Sequence, residues 1–127
     1  IMVSGAFIGS DVRNAGDDAF IADKLKYRHI ATTPTDSICT VEGLGNIGSI
    51  YSRPNEESYW LRSTDIIEGV GGAFNAMKYS TNNYPAAVAY PGPGYRVLAF
   101  GFPLECIKET ETRQNIVGIA IDFLLGK

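Results

Sequence analysis

Residues 95–103 read Tyr95-Arg96-Val97-Leu98-Ala99-Phe100-Gly101-Phe102-Pro103. The middle of this stretch, Val97 to Phe100, is a continuous apolar run, and Pro103 ends it. Strands that are covered on both faces have such runs, whereas strands with one face in water alternate apolar and polar residues. The stretch therefore predicts a buried strand inside a layered α/β protein.

A second strand is predicted directly before this one, from Ala86 to Tyr90. The sequence between the two is Pro91-Gly92-Pro93-Gly94, which is typical of a tight turn, so we expect the two strands to pair as a β-hairpin. Shorter strands are predicted at residues 1–8, 28–33, 37–42, 47–52 and 73–79. The segment 55–72 is polar, and we expect it to be irregular.

Two helices are predicted, one near each end of the chain. Residues 19–27 place Phe20, Ile21 and Leu25 on one helical face, and residues 110–125 form a longer amphipathic pattern. The apolar stripe of the second helix consists of Ile116, Ala120, Phe123 and Leu124. The element order is strand and helix, a run of short strands, then strand and helix, which favours a layered α/β fold over a barrel or a β-sandwich.

Composition excludes several classes of protein. Of 127 residues, 45% are apolar and 20% are charged, which is typical of one folded domain, and we treat residues 1–127 as a single domain. The net charge is −3 and the basic residues are dispersed, so no nucleic-acid partner is expected. No apolar run approaches the ~20 residues that cross a bilayer, so no membrane span is expected.

The two cysteines and the first residues give weaker information. Cys39 and Cys106 lack the close spacing of zinc ligands, and we expect buried free thiols, with a single bridge as the alternative. The chain opens on Ile1-Met2-Val3-Ser4-Gly5, already inside a strand-like pattern. We therefore expect a portion of a longer polypeptide, with a trimmed mature protein as the alternative.

Three residues are weak candidates for catalysis. His29 is the only histidine and has the chemistry of a general base, although a structural role is the commoner one for a lone histidine beside a strand. Asp11 follows Ser10 in a loop expected at the carboxyl edge of the sheet, where such folds bind ligands, and Glu105 follows the last strand at the same edge. Asp11 and Glu105 form an acid/base pair only if their carboxyl groups converge; the alternative for Asp11 is capping of a turn.

Aromatic residues in polar surroundings suggest a second kind of site. Tyr59 and Trp60 lie beside Arg62 and Asp65, and exposed rings with polar neighbours stack on the faces of sugars. The alternative is that these rings cover the core at strand ends. The candidate ligand-binding set is therefore Ser10, Asp11, Tyr59, Trp60 and Glu105.

Three segments carry a resemblance to a known family. They are Val3-Ser4-Gly5-Ala6-Phe7-Ile8-Gly9-Ser10-Asp11, the strand pair 87–90 and 95–105, and Arg113 with the terminal helix. Together they resemble the class I glutamine amidotransferase-like, flavodoxin-like domain near the C-terminus of Bacteroidetes xanthan lyase proteins. The resemblance implies an α/β/α sandwich with a mainly parallel sheet and a β-hairpin, and an incomplete domain whose first strand–helix units lie upstream.

The catalytic parts of that family do not match this sequence. Active members need a cysteine at a strand-to-helix elbow and a histidine oriented by a carboxylate, because the thiolate requires an adjacent base. Here the elbow region, residues 28–34, has no cysteine, and Phe102 stands where the histidine belongs in Phe102-Pro103-Leu104-Glu105. Ser4-Gly5-Ala6 lies where a glycine turn helps form the oxyanion site. We therefore do not expect a glutaminase.

The resemblance and these departures define the expected function. They imply a non-catalytic accessory module of a secreted polysaccharide-processing protein, placed outside the cell or in the periplasm, that acts by domain packing or weak glycan binding. Its partners are then a polysaccharide and the rest of the parent chain, with no cofactor and no metal. The alternative is an active polysaccharide lyase or hydrolase that uses Asp11, His29 or Glu105. A third option is an assembly element whose open sheet edge the parent chain completes.

Overall fold

A computed structural model describes residues 1–34, 39–43, 45–50, 61–80, 82–107 and 109–127, and within residues 34–50 it describes the backbone alone. The strands are β1 Met2–Ser4, β2 Tyr27–Pro34, β3 Cys39–Gly43, β4 Gly45–Ile50, β5 Ser63–Gly69, β6 Phe74–Tyr79, β7 Pro85–Tyr90 and β8 Val97–Phe100. The helices are α1 Ser10–Asn14, α2 Asp18–Phe20 with a π-helical turn Ile21–Leu25, a 3-10 helix Leu104–Cys106, and α3 Thr110–Leu125.

Six of these strands form one mixed sheet in the order β1-β8-β7-β6-β3-β4. Only the β1–β8 pairing is parallel among the described strands of this sheet. The mixed α/β class is confirmed, but the mainly parallel sheet is wrong for this part of the chain. Its antiparallel neighbours β7–β8 and β6–β7 follow one another through short connections, which are too short for the crossover that parallel pairing needs.

The predicted hairpin is confirmed, since β7 pairs with β8 in the register Ala87–Phe100 to Tyr90–Val97. Both strands are covered on both faces. On one face Leu98 and Phe100 pack with Ile116 and Ala120 of α3, which begins and ends as predicted. On the other face β7 and β8 pack against Ile21 of the π-helical turn and Tyr27 of β2, through the side chains Val88 and Ala99.

The first helical region differs from the prediction of one helix over residues 19–27. Helical structure begins earlier, at Ser10, and the second helical segment ends in a π-helical turn at Leu25. Lys26 has a left-handed backbone conformation with φ of 63°, which stops the helix. Tyr27 therefore begins strand β2 and points into the core instead of completing a helical face.

The segment that we expected to be irregular contains β5, which is one of the most buried strands. Thr64, Asp65, Ile66 and Ile67 are all buried, and Ile66 and Ile67 belong to the two different core clusters. Strand β5 pairs antiparallel with β2 in a separate two-stranded sheet. The sequence pattern does not predict this strand, because Thr64 and Asp65 are polar and buried strands usually have apolar side chains at such positions.

Candidate functional site

The most unusual residue of the described chain is Asp65, a carboxylate with no solvent exposure. Its Oδ2 accepts hydrogen bonds from the backbone N–H of Gly9 at 2.7 Å and of Ser10 at 2.9 Å, and from Ser10 Oγ at 3.3 Å. Its Oδ1 accepts a longer bond from Thr32 Oγ1 at 3.5 Å. Burying a carboxylate costs free energy unless hydrogen-bond donors replace the water that it loses. The donors of this cluster make that replacement for Asp65.

His29 lies beside the same carboxylate. Its Nε2 is 3.3 Å from Asp65 Oδ1, and the two side chains are 9% and 0% exposed. The approach is not aligned as an N–H···O hydrogen bond, and both ring nitrogens are buried without a hydrogen-bond partner. The imidazole packs against Gly9, where an added Cβ would lie 3.0 Å from His29 Cβ.

Tyr27 completes the cluster. Its hydroxyl donates a hydrogen bond to the backbone carbonyl of Ile8 at 3.1 Å. Burial, and secondarily the negative charge of Asp65, raise the pKa of Tyr27 to about 12. The phenol therefore stays neutral at physiological pH and acts as a fixed hydrogen-bond donor.

The cluster joins three parts of the fold that are distant in sequence. Asp65 lies on β5, His29 and Tyr27 lie on β2, Ile8 and Gly9 lie at the end of the β1–α1 turn, and Ser10 is the first residue of α1. A general base must come within hydrogen-bond reach of a substrate proton. The His29 and Asp65 side chains instead face one another and the backbone, an arrangement suited to holding the β1–α1 turn against the β2–β5 pair.

The positions that the amidotransferase comparison singled out have structural partners. Ser4 Oγ donates to the carbonyl of Phe102 at 3.0 Å and accepts from the N–H of Leu104 at 2.9 Å, which ties the end of β1 to the segment after β8. Phe102 is fully buried, with its ring in edge contact with Tyr79 and Phe100. The segment 28–34 forms strand β2 and not a strand-to-helix elbow.

The predicted site residues are spread over the surface and the interior. Asp11 is exposed in the first turn of α1, and Glu105 is exposed in the 3-10 helix. Ser10 does belong to the polar cluster, through its bonds to Asp65. Tyr59 and Trp60 lie outside the described residues.

The sequence reasoning missed Asp65, the centre of the cluster. It was noticed only as a polar neighbour of Tyr59 and Trp60. One signal for β5 is present in the sequence: the apolar pair Ile66-Ile67 directly follows Thr64-Asp65. This pair predicts a short buried strand if polar residues are accepted at its first positions. Long-range donors such as the N–H groups of Gly9 and Ser10 cannot be recognised from spacing.

Cys106 is buried and packs with Ala6 and Leu61, and the expectation of two free thiols stays a prediction. The side chain of Cys39 lies outside the described part. Within the described ranges, no three His, Cys, Asp or Glu side chains converge in a way that would hold a metal ion. No helix in the same ranges is long and apolar enough to cross a bilayer.

Comparisons with known proteins add no assignment to this geometry. A scan against protein-family models finds no match to the chain, and a search of curated proteins finds none either.

Proposed function

We propose that the chain is a non-catalytic, amidotransferase-like accessory module of a secreted polysaccharide-processing protein related to the xanthan lyases. It works by packing against the rest of its parent chain and by weak contact with a glycan. The observation that carries this proposal is the burial of the sole histidine, His29, against Asp65, whose Oδ2 already accepts three hydrogen bonds. The assignment to this class of protein comes from the sequence resemblance, which also implies a flavodoxin-like fold.

Two further features support a scaffold that does not perform amide chemistry. Residues 28–34, where the nucleophile elbow of the family would lie, form a strand that is paired along its length with β5. Phe102, which replaces the family's histidine, is part of the core. A base at this position would have to leave the core to reach a substrate.

A packing role is supported by the outer face of α3. Val117, Ile121 and Leu125 recur at intervals of four residues and are 36%, 49% and 63% exposed. Side chains four residues apart lie on the same face of a helix, so these three form an exposed apolar ridge that flanks the core-facing stripe of α3. Exposed apolar ridges of this kind are typical of surfaces that contact another protein segment.

The competing function is an active lyase or hydrolase. Its accessible candidates are Asp11 and Glu105, which are both exposed, whereas both ring nitrogens of His29 are buried.

The two functions are separated by a turnover assay on the whole chain. Incubation with xanthan and with other acidic polysaccharides, followed by the absorbance of unsaturated uronate products and by a reducing-end assay, is expected to show no product. Turnover by the unaltered chain that disappears in His29→Ala or Glu105→Ala, while both variants remain folded by circular dichroism, would overturn the non-catalytic proposal.

A further inference from the structure

A small cleft lies on the surface beside the buried cluster. It has a volume of about 300 Å³ and is lined by Arg13, Asp18, Ile21, Ala22, Arg28 and His29. These residues come from α1, from α2 with its π-helical turn, and from β2. The volume is at the small end of the range for ligand pockets, so the cleft suits one small molecule or one sugar unit.

Two arginines line the cleft, and they differ in their contacts. Arg13 is exposed, and its side chain forms no hydrogen bond or ion pair with the described residues. Arg28 donates from Nε and Nη2 to Glu68 Oε2, so its Nη1 remains for another acceptor. Guanidinium groups present planar sets of donors that match a carboxylate or phosphate, and they are the usual choice for recognising such groups.

The other lining residues narrow the class of ligand. Asp18 is exposed at the same cleft and accepts hydrogen bonds, which suits a ligand hydroxyl and repels a second negative charge. Ala22 is half-buried and presents an apolar surface against which the C–H face of a ring can pack, and Ile21 lies behind it with 0% exposure. A ligand that matches the whole cleft carries one anionic group, several hydroxyls and an apolar face.

From these side chains we infer that the cleft binds a sugar acid, with its carboxylate on Arg13 and Arg28 Nη1 and a hydroxyl donating to Asp18. This inference rests on the proposed function, because it names the residues that would contact the glycan and the chemical class of the sugar. It assigns the contact to residues different from the aromatic pair and the Asp11–Glu105 edge that the sequence indicated. The occupant is held by hydrogen bonds, and no covalent step is involved.

The test is an NMR titration of the full chain with three probes: glucuronate, glucose and inorganic phosphate. Glucuronate is expected to shift the side-chain resonances of Arg13 and Arg28, and glucose is not. Arg13→Gln and Arg28→Gln should each weaken glucuronate binding about tenfold, the effect of losing one charge-assisted partner. Lys127→Gln, which removes one positive charge at an exposed position outside the lining set, is the control and should leave the affinity unchanged.

The outcomes separate this inference from the proposed function. If an acidic polysaccharide binds and neither Arg13→Gln nor Arg28→Gln weakens it, the cleft is wrong while the accessory role stands. Phosphate binding as tight as glucuronate would overturn the sugar-acid assignment in favour of a general oxyanion site. If no glycan and no uronate binds, both this inference and the contact half of the proposed function fail, and packing remains. Turnover of the polymer with an intact cleft would overturn only the non-catalytic role.

Discussion

At the scale of single residues, Asp65 shows how one buried charge can hold a turn in place. Two consecutive backbone N–H groups, of Gly9 and Ser10, point at the same carboxylate oxygen. If the carboxylate were removed, these donors would have no acceptor in a region closed to water, and unpaired buried donors are costly. The carboxylate is therefore a requirement of the β1–α1 turn.

Asp65→Asn is expected to lower the free energy of unfolding by about 2 kcal/mol, because neutral acceptors bind these donors more weakly than a carboxylate does. Chemical denaturation monitored by circular dichroism gives the value. Asp11→Asn is the matched control at an exposed position and should change it by less than about 0.5 kcal/mol. Equal small changes in both variants would show that the Asp65 cluster contributes nothing to stability.

Tyr27 makes stability depend on pH in the alkaline range. Its pKa rises from 10.0 in an ordinary environment to about 12 in the fold, so the unfolded chain loses this proton first as pH increases. The contribution is fully present below pH 10 and is lost as pH rises through about 12. The free energy of unfolding should therefore fall over this window, with a shallower fall in Tyr27→Phe. Identical slopes in the two proteins would contradict the assignment.

At the scale of elements, β5 meets the end of β8 at Gly101. Asp65 N–H donates to the carbonyl of Gly101 at 2.9 Å, and Gly101 N–H donates to that of Ala86 at 2.8 Å. A Cβ on Gly101 would overlap the carbonyl oxygen of Asp65 and lie 3.3 Å from that of Ala86. The obstacles are backbone atoms, which have no rotamer that would move them aside.

Gly101→Ala is expected to destabilise the protein by about 3 kcal/mol, since the strand crossing must widen to admit the methyl group. Gly94→Ala offers the matched control: this glycine has open space around its Cβ position, and the substitution should stay within about 0.5 kcal/mol of the unaltered chain. Thermal unfolding of both variants checks the difference. A Gly101→Ala protein as stable as the control would mean that β5 does not approach β8 this closely.

The elements also show which parts of the fold can be predicted from sequence patterns. The hairpin of β7 and β8 follows from an apolar run with a Pro-Gly turn before it, and α3 follows from its stripe at Ile116 and Ala120, because both signals are local. Strand β5 and the direction of most pairings depend on long-range contacts. The partners of the Asp65 carboxylate are at residues 9, 10 and 32, so no window around β5 contains them.

The candidate site was predictable to a similar extent. The position of Ser10 after the first strand predicts a site residue, and Ser10 does lie in the polar cluster. His29 was weighed as a base against a structural role, and its 9% exposure beside Asp65 fits the structural role. The expectation that Asp11 and Glu105 lie near each other depends on a parallel sheet, because the carboxyl ends of parallel strands meet at the same edge. Among the described strands of the mixed sheet, β1 and β8 are the parallel pair, so Asp11 and Glu105 do follow the same edge of that pair, and both lie exposed there.

At the scale of the whole molecule, helices cover both faces of the β7–β8 hairpin. Helix α3 packs on one face, and the π-helical turn after α2 packs on the other together with β2. The His29–Asp65 pair lies on the second side, under the β1–α1 turn. The ring nitrogens of His29 and the Asp65 carboxylate are buried, although the His29 residue also lines the arginine cleft, which opens to solvent.

The reactivity of His29 with diethyl pyrocarbonate tests this account most directly, because the chain has a single histidine and mass spectrometry reads its modification without ambiguity. The imidazole is expected to react much more slowly in the native protein than in the chain unfolded by guanidinium, in proportion to its burial. It should react faster in Asp65→Asn, where the turn is weakened. Native reactivity equal to that of the unfolded chain would place His29 in an open site and make catalysis the better explanation.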